Sequence, residues 1–271
     1  VIARVGRTAA VLAAPGIPTE LLASWCRDCA GWFQPRVPLP RAPAKENLAL
    51  VDSPLGRLAA KLESPRGWKR ALALARARRP RSLRAFRAGR ALLRSGLATP
   101  EPLAVLVRRG ASRHDALLVT RYVEGQGPWE WLSSGRTAAP LHEALATGLA
   151  RLHAAGFRHR DLKASNLLLH EPAPGRTEVV WTDLDGLRYV GTLPLFLRAR
   201  DLARLAMSFE SSAARAAGVR AGDWPVLVRA YQAAFTGAEP DPAAVEDLLA
   251  RTRRWSERAI RRHLAQGRPF G

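Results

Sequence analysis

His159-Arg160-Asp161-Leu162-Lys163-Ala164-Ser165-Asn166-Leu167-Leu168-Leu169 decides how the chain is read, together with Thr182-Asp183-Leu184-Asp185-Gly186, in which Asp183 follows Asn166 by 17 positions. An H-R-D-x-x-x-x-N loop supplies two groups that phosphoryl transfer needs. One is a carboxylate that orients an attacking hydroxyl and accepts its proton; the other is a side-chain amide oxygen for Mg²⁺. Asp161 and Asn166 stand in those places. A second carboxylate is then required at the end of a nearby strand, to bridge the metal and the nucleotide phosphates. Asp183 qualifies, because Glu178-Val179-Val180-Trp181-Thr182 reads as the strand leading into it. Residue types, order and spacing agree, which sets this apart from a chance H-R-D in a surface loop.

Upstream of the loop, Pro140 to Ala155 has leucines at 141, 145, 149 and 152, the spacing of an amphipathic helix ending at Gly156. His153 and His159 are read as scaffold rather than as catalysts. Thr120-Arg121-Tyr122-Val123-Glu124-Gly125 is the expected hinge between two lobes. The backbone N–H and C=O groups of Arg121, Tyr122 and Val123 would meet an adenine edge there. Gly125-Gln126-Gly127-Pro128 marks the boundary, and Trp129 and Trp131 in the short helix after it are read as packing. Asn47–Val51 and Arg57–Leu62 read as a hairpin turned through Asp52-Ser53-Pro54-Leu55-Gly56, and Pro102–Arg109 with Ala116–Tyr122 as another. The first hairpin carries Lys61, 100 residues before Asp161, as the candidate for the nucleotide phosphates. No G-x-G-x-x-G precedes it, so the turn at 52–56, or Lys45-Glu46, would have to cover them.

Ser82 to Ser95 reads as a helix with Leu83, Phe86, Leu92 and Leu93 inward and Gly96 at its C-terminal cap. Neither Asp nor Glu occurs between Glu63 and Glu101, so this helix offers Lys61 no carboxylate. Ala85 holds the position where one would be sought, and Glu63, on the same strand face as Lys61, is the substitute. Asp201 in a later helix is expected to accept N–H bonds from the catalytic loop. Residues 1–44 are poorly patterned apart from a helix from about Pro18 to Trp25, and 34–43 are proline-rich.

The 271 residues, 47% of them hydrophobic, suit one large domain or two lobes. The formal charge is +20, and all but four of the 43 basic residues are arginine. Such a field draws anionic partners. Arginines 251, 253, 254, 258, 261 and 262 crowd the last helix, as a solvated face or as one lying against an anionic surface. The lone Cys26-x-x-Cys29 lacks half the ligands of a structural zinc site and reads as incidental thiols. Nothing in the sequence has the length of a transmembrane run. The chain opens on Val1 rather than Met, so its natural start is expected upstream.

The order strand Lys61, Leu152-His153-x-x-Gly156, His159-Arg160-Asp161-Leu162 to Asn166, then Asp183-Leu184-Asp185, is shared with the protein-kinase-like superfamily. Within it the chain most resembles the bacterial lipopolysaccharide kinases, which act on Kdo or heptose. Gly96-Leu97-Ala98-Thr99-Pro100-Glu101-Pro102-Leu103 resembles their link between helix and strand. Asp183-Leu184-Asp185 stands where protein kinases carry D-F-G. Asp201-Leu202-Ala203-Arg204-Leu205 follows soon after, without an A-P-E motif. The resemblance implies an α+β, two-lobed protein-kinase-like fold, with a small antiparallel sheet and one helix in the N-lobe (45–124) and a mainly helical C-lobe (125–271).

It further implies ATP- and Mg²⁺-dependent phosphorylation of a sugar hydroxyl of the lipopolysaccharide inner core. Asp161 would be the base, Lys163 a charge near the γ-phosphate, Asn166 and Asp183 the metal ligands, and Lys61 the phosphate clamp. The expected setting is cytoplasmic, peripheral at the anionic inner face of the inner membrane, with glycolipid rather than nucleic acid as partner and no oligomeric state indicated. Two alternatives stand beside it. One is another kinase-fold phosphotransferase, acting on protein or on a small molecule such as an aminoglycoside. The other is a catalytically weak nucleotide-binding scaffold at a membrane, for which the missing helix carboxylate argues.

Overall fold

The computed structural model describes residues 1–33, 47–63, 81–109, 114–220 and 222–265. The proline-rich stretch at 34–43, Lys45-Glu46, the basic segment after Pro65 and the turn at 110–113 fall outside them. The chain forms two compact units, one of residues 1–94 and 100–123, the other of 95–99 and 124–271.

The first unit is built on a six-stranded antiparallel sheet. Its strands are β1 (Ala3–Val5), β2 (Thr8–Ala13), β3 (Leu48–Ser53), β4 (Gly56–Glu63), β5 (Pro102–Arg109) and β6 (His114–Arg121), in the order β1-β2-β5-β6-β4-β3. The segment expected to be poorly patterned therefore supplies two strands, and β2 pairs with β5 nearly a hundred residues on, Ala10 opposite Leu106. The helix expected from about Pro18 to Trp25 is α1 (Thr19–Asp28), with Pro18 at the N-cap. Its Leu22, Trp25 and Cys26, with Cys29 at its C-cap, join Leu58, Ala60, Ala104, Leu106, Leu117 and Val119 in one buried cluster. Both cysteines are free and buried, and burial pushes both thiols up.

Strand alternation sends Ala59, Lys61 and Glu63 to the opposite face of β4 from Leu58 and Ala60. That is the face of α2 (Arg81–Arg94), a helix whose first turn holds no acidic residue. Glu63 answers the lack from the strand. Its carboxylate accepts the Arg81 N–H at 3.0 Å, the Ser82 N–H at 2.9 Å and the Ser82 hydroxyl at 3.0 Å. It thus caps the positive end of α2 from across the sheet. Glu63→Ala is expected to lower unfolding stability by about 1–2 kcal/mol, and Glu63→Gln by less, measured by denaturant titration.

The second unit is mainly helical. Helices α3 (Pro128–Ser133), α4 (Ala138–Ala154), α5 (Leu195–Phe209), α6 (Ser212–Ala216), α7 (Asp223–Thr236) and α8 (Pro242–Ala265) accompany short strands β7 (Phe157–His159), β8 (Leu167–Ala173), β9 (Arg176–Trp181) and β10 (Leu187–Tyr189). The four leucines predicted to line one face of α4 are all fully buried, in a helix that packs against α7, where Leu227, Val228 and Tyr231 are buried too. Each contributes roughly 2 kcal/mol by leaving water. Trp131 is buried, and Trp129 meets Phe209 edge-on at 5.2 Å, so both tryptophans pack. Gly156 follows α4 at φ +82°, where a Cβ would lie 2.7 Å from the Gly191 carbonyl, and the chain turns there into β7.

Candidate active site

β7 and β10 pair with Leu187 opposite His159, and the loop after β7 is stitched to the turn before β10 by the Arg160 N–H donating to the Gly186 carbonyl at 3.3 Å. A Cβ on Gly186 would come within 3.4 Å of the Asp161 nitrogen, so the two motif segments run close together. Past Lys163 the chain makes one 3₁₀ turn, Ala164–Asn166, and enters β8. The Thr182 N–H donates to the Asn166 carbonyl at 3.0 Å. The second unit therefore brings Asp161, Lys163, Asn166 and Asp183 together by backbone hydrogen bonding as well as by sequence.

Asp161 is half exposed, at 55% of its side chain, and Lys163 at 47% places its ammonium 3.2 Å from Oδ2 of Asp161. A pair this wet adds at most about 1 kcal/mol to stability. Its significance is positional, since carboxylate and cation face solvent where a substrate can reach them. Asn166 is buried and fixed: Nδ2 donates to the Asp161 carbonyl at 2.8 Å and approaches Oδ2 at 3.4 Å. With the amide nitrogen committed, Oδ1 is the atom left for a cation.

Asp183 has φ 52° and ψ 52°, the one non-glycine residue with positive φ among those described. Aspartate visits this left-handed region more readily than most residues, still at a cost of about 1 kcal/mol or more. Among the described residues no group of three His, Cys, Asp or Glu could hold a metal. One amide oxygen and one carboxylate suit Mg²⁺, which takes few protein ligands and fills its octahedron with phosphate and water.

The loop is held from beneath. His159 is fully buried, with Nδ1 3.3 Å from the Asp161 N–H and Nε2 3.3 Å from the Thr182 carbonyl. An N–H pointing at Nδ1 makes that atom an acceptor, so the hydrogen sits on Nε2 and donates to Thr182. This is the neutral tautomer, in line with burial pushing the imidazole pKa down.

Asp201, fully buried in α5, accepts the His159 N–H at 3.0 Å and Nη2 of Arg158 at 2.7 Å. Burial pushes its carboxyl up, against the pull of Arg158 and Arg204. Two further supports escaped the sequence reading. Arg158 is buried beside Asp201, and the Ser208 hydroxyl, two turns along α5 from Asp201, accepts the Ala164 N–H at 3.1 Å. The helical i, i+7 spacing of Asp201 and Ser208 was the available signal.

His153 lies under the same network, with Nδ1 2.8 Å from the Tyr231 hydroxyl. Burial, then Arg198 and Arg158, lower its pKa to about 3. In the unfolded chain it titrates near 6.5, so above that pH it is neutral in both states and no stability is lost through it. Between 6.5 and about 3 the unfolded chain binds the extra proton, and stability falls as pH falls, by about 1.4 kcal/mol per pH unit at the steepest. Asp201, with its raised pKa, acts in the opposite sense. The loss of stability between pH 6.5 and pH 4 is therefore expected to be smaller in His153→Gln than in the unaltered protein, read from melting curves across that range.

In the first unit Lys61 is exposed on β4, on the face shared with α2, where Ala85 is buried. The carboxylate of Glu63, the expected stand-in partner, caps the α2 N-terminus. Two of the N–H donors expected of the hinge are already engaged. The Arg121 N–H donates to the Glu101 carbonyl at 2.9 Å and the Tyr122 N–H to the Arg57 carbonyl at 3.0 Å. The Arg121 guanidinium is taken by the Leu55 carbonyl and Glu101. Neither backbone N–H is available to an adenine edge, because sheet register had already used both. Of the three residues, only the Val123 N–H lacks an acceptor among the described residues.

A family model described as "Lipopolysaccharide kinase (Kdo/WaaP) family" matches residues 58–231. A 3-deoxy-D-manno-octulosonic acid kinase of Xylella fastidiosa (strain 9a5c) is 32% identical over 160 residues, 58% of this chain and 62% of its own. One from Xanthomonas oryzae pv. oryzae (strain PXO99A) is 32% identical over 202 residues, 68% of this chain and 75% of its own. The chain thus spans about three fifths of the Xylella relative's length. A solved structure, "WaaP in complex with acyl carrier protein", superposes with a TM-score of 0.52 at 22% identity, covering 80% of this chain and 87% of that one. That likeness is one of fold.

Proposed function

The chain belongs to the lipopolysaccharide kinase (Kdo/WaaP) family, and from that premise we propose that it transfers the γ-phosphoryl group of ATP to a sugar hydroxyl, on Kdo or heptose, of the lipopolysaccharide inner core. The observation that carries this reading is the half-exposed Asp161 carboxylate, paired with Lys163 and braced by Asn166 on a loop whose underside is anchored to Asp201.

Asp161 accepts a hydrogen bond from the acceptor hydroxyl and takes its proton as the oxygen bonds to the γ-phosphorus. The bond to the bridging oxygen breaks and ADP leaves. Lys163 neutralises charge on the transferred group. Asn166 Oδ1 and Asp183 would hold Mg²⁺, which would supply positive charge to offset that of the nucleotide phosphates. Lys61 supplies a further cation to the nucleotide phosphates, and the Val123 N–H donates to the adenine edge. Little covalent chemistry falls to the protein, so positioning and electrostatics supply most of the acceleration. The positive charge of the chain suits a peripheral position at an anionic membrane face. Among the described residues no helix is long and apolar enough to cross a bilayer.

One observation favours a second reading. The sequence of α2 holds no acidic residue, with Ala85 standing where a kinase helix carries one, a departure that a nucleotide-binding scaffold of low turnover would share. Labelled ATP offered with dephosphorylated inner core, a generic protein and an aminoglycoside separates the readings. Label is expected in the glycolipid alone. Label in either of the other acceptors, or ATP binding without transfer, would refute the proposal.

A further inference from the structure

Six large apolar side chains stand exposed among the described residues, and three fall within eight positions: Tyr189 at 71%, Val190 at 42% and Phe196 at 53%. They lie between the end of β10 and the first turn of α5, the segment that follows Asp183-Leu184-Asp185. The backbone presenting them is fixed. Tyr189 pairs with Phe157 in the β7–β10 ladder and meets its ring edge-on at 5.3 Å, and the Val190 N–H donates to the Gly156 carbonyl at 2.9 Å. His159 sits opposite Leu187 in the same ladder, and Asp161 is two residues beyond it. The exposed aromatics therefore occupy the edge of the second unit from which the catalytic loop emerges.

Phe196 also leads onto a basic face. Arg200, one turn further along α5 and on the same side, places its guanidinium 5.1 Å from the Trp255 ring of α8, and Arg258 approaches that ring at 5.9 Å. From there Arg254, Arg258 and Arg262 recur every fourth residue down the exposed side of α8, while Val245, Leu248, Thr252 and Ser256 are buried on the other. Exposed aromatics joined to a stripe of arginines, with a tryptophan between them, are the composition of an interface that dips apolar groups into a bilayer and holds anionic headgroups. Solvated exposure accounts for the arginines alone. It does not account for three large apolar groups clustered beside a loop that must meet its acceptor.

We propose that Tyr189, Val190 and Phe196, with the Arg254–Arg258–Arg262 stripe of α8, form the docking surface for an anionic lipid bilayer. Docking there brings the loop of Asp161 to the membrane plane. The proposal deepens the glycolipid-kinase reading and rests on it for its purpose, but not for its test.

The full chain is sedimented with vesicles of phosphatidylglycerol and phosphatidylcholine, and with phosphatidylcholine alone. Binding is expected to the first and to be at least tenfold weaker to the second. Tyr189→Ser with Phe196→Ser should weaken binding about tenfold, Arg254→Ala with Arg258→Ala about thirtyfold, and Val226→Ser, an exposed apolar side chain on α7, not at all. Each variant should keep its melting temperature and its ATP affinity. Equal binding to both vesicle types, or variants that sediment like the unaltered protein, would overturn the docking surface. Phosphoryl transfer to detergent-dispersed inner core is measured in parallel. Transfer without vesicle binding would sink this inference and spare the kinase reading, and vesicle binding without transfer would do the reverse.

Discussion

Asp161→Asn is expected to lower turnover by about three orders of magnitude while leaving ATP affinity within a few-fold. The asymmetry follows from where Asp161 stands. Its backbone carbonyl holds the Asn166 amide at 2.8 Å, and its N–H meets His159. Neither bond involves the carboxylate, so the loop and the Asn166 oxygen stay in place when the side chain becomes an amide. What disappears is the proton acceptor, and with it the charge 3.2 Å from the Lys163 ammonium. Single-turnover measurement of phosphoryl transfer beside equilibrium ATP binding separates the two effects. A fall in affinity as large as the fall in rate would mean that Asp161 serves the nucleotide and not the acceptor hydroxyl.

Asp201→Ala should cost about 3–5 kcal/mol of stability, the other large effect. Removing this carboxylate leaves the Arg158 guanidinium buried without its 2.7 Å partner, and the His159 N–H without an acceptor. Few surface substitutions approach that figure, because water replaces whatever they remove. Denaturant titration of the isolated chain checks the value. Asp201→Asn should recover part of it, since an amide oxygen still accepts from His159 while the charge opposite Arg158 is lost. A loss below about 1 kcal/mol in Asp201→Ala would show that the buried pair contributes little net stability here and that the catalytic loop is anchored elsewhere.

The contrast between these residues indicates what could be read without coordinates. That the segments of Asp161, Asn166 and Asp183 run close together was legible because phosphoryl transfer asks for those residue types at that spacing, and backbone hydrogen bonds join the segments in the folded chain. The leucines of α4 were legible because a 3.6-residue period survives any packing partner. Strands β1 and β2 were not. Thr8–Ala13 is short and alanine-rich, and its partner β5 lies nearly a hundred residues away, so neither pattern nor proximity marked it. That the Arg121 and Tyr122 N–H groups are engaged was hidden for a related reason: whether a backbone N–H is available depends on register with Glu101 and Arg57, which composition does not carry. Glu63 was noticed for the right face of the right strand, yet its carboxylate serves a helix end 18 residues on. Arg158 and Ser208 belong to the same class, polar groups whose roles appear only once α5 is laid under the loop.

The most direct test of the central claim is to incubate the protein with Mg-ATP and dephosphorylated lipopolysaccharide inner core, and to count ADP formed against phosphomonoester gained on the sugar by phosphorus NMR. The account predicts one phosphomonoester per ADP, with neither product formed above background by Asp161→Asn. ADP release without a phosphomonoester on the glycolipid, or equal yields from Asp161→Asn, would contradict it.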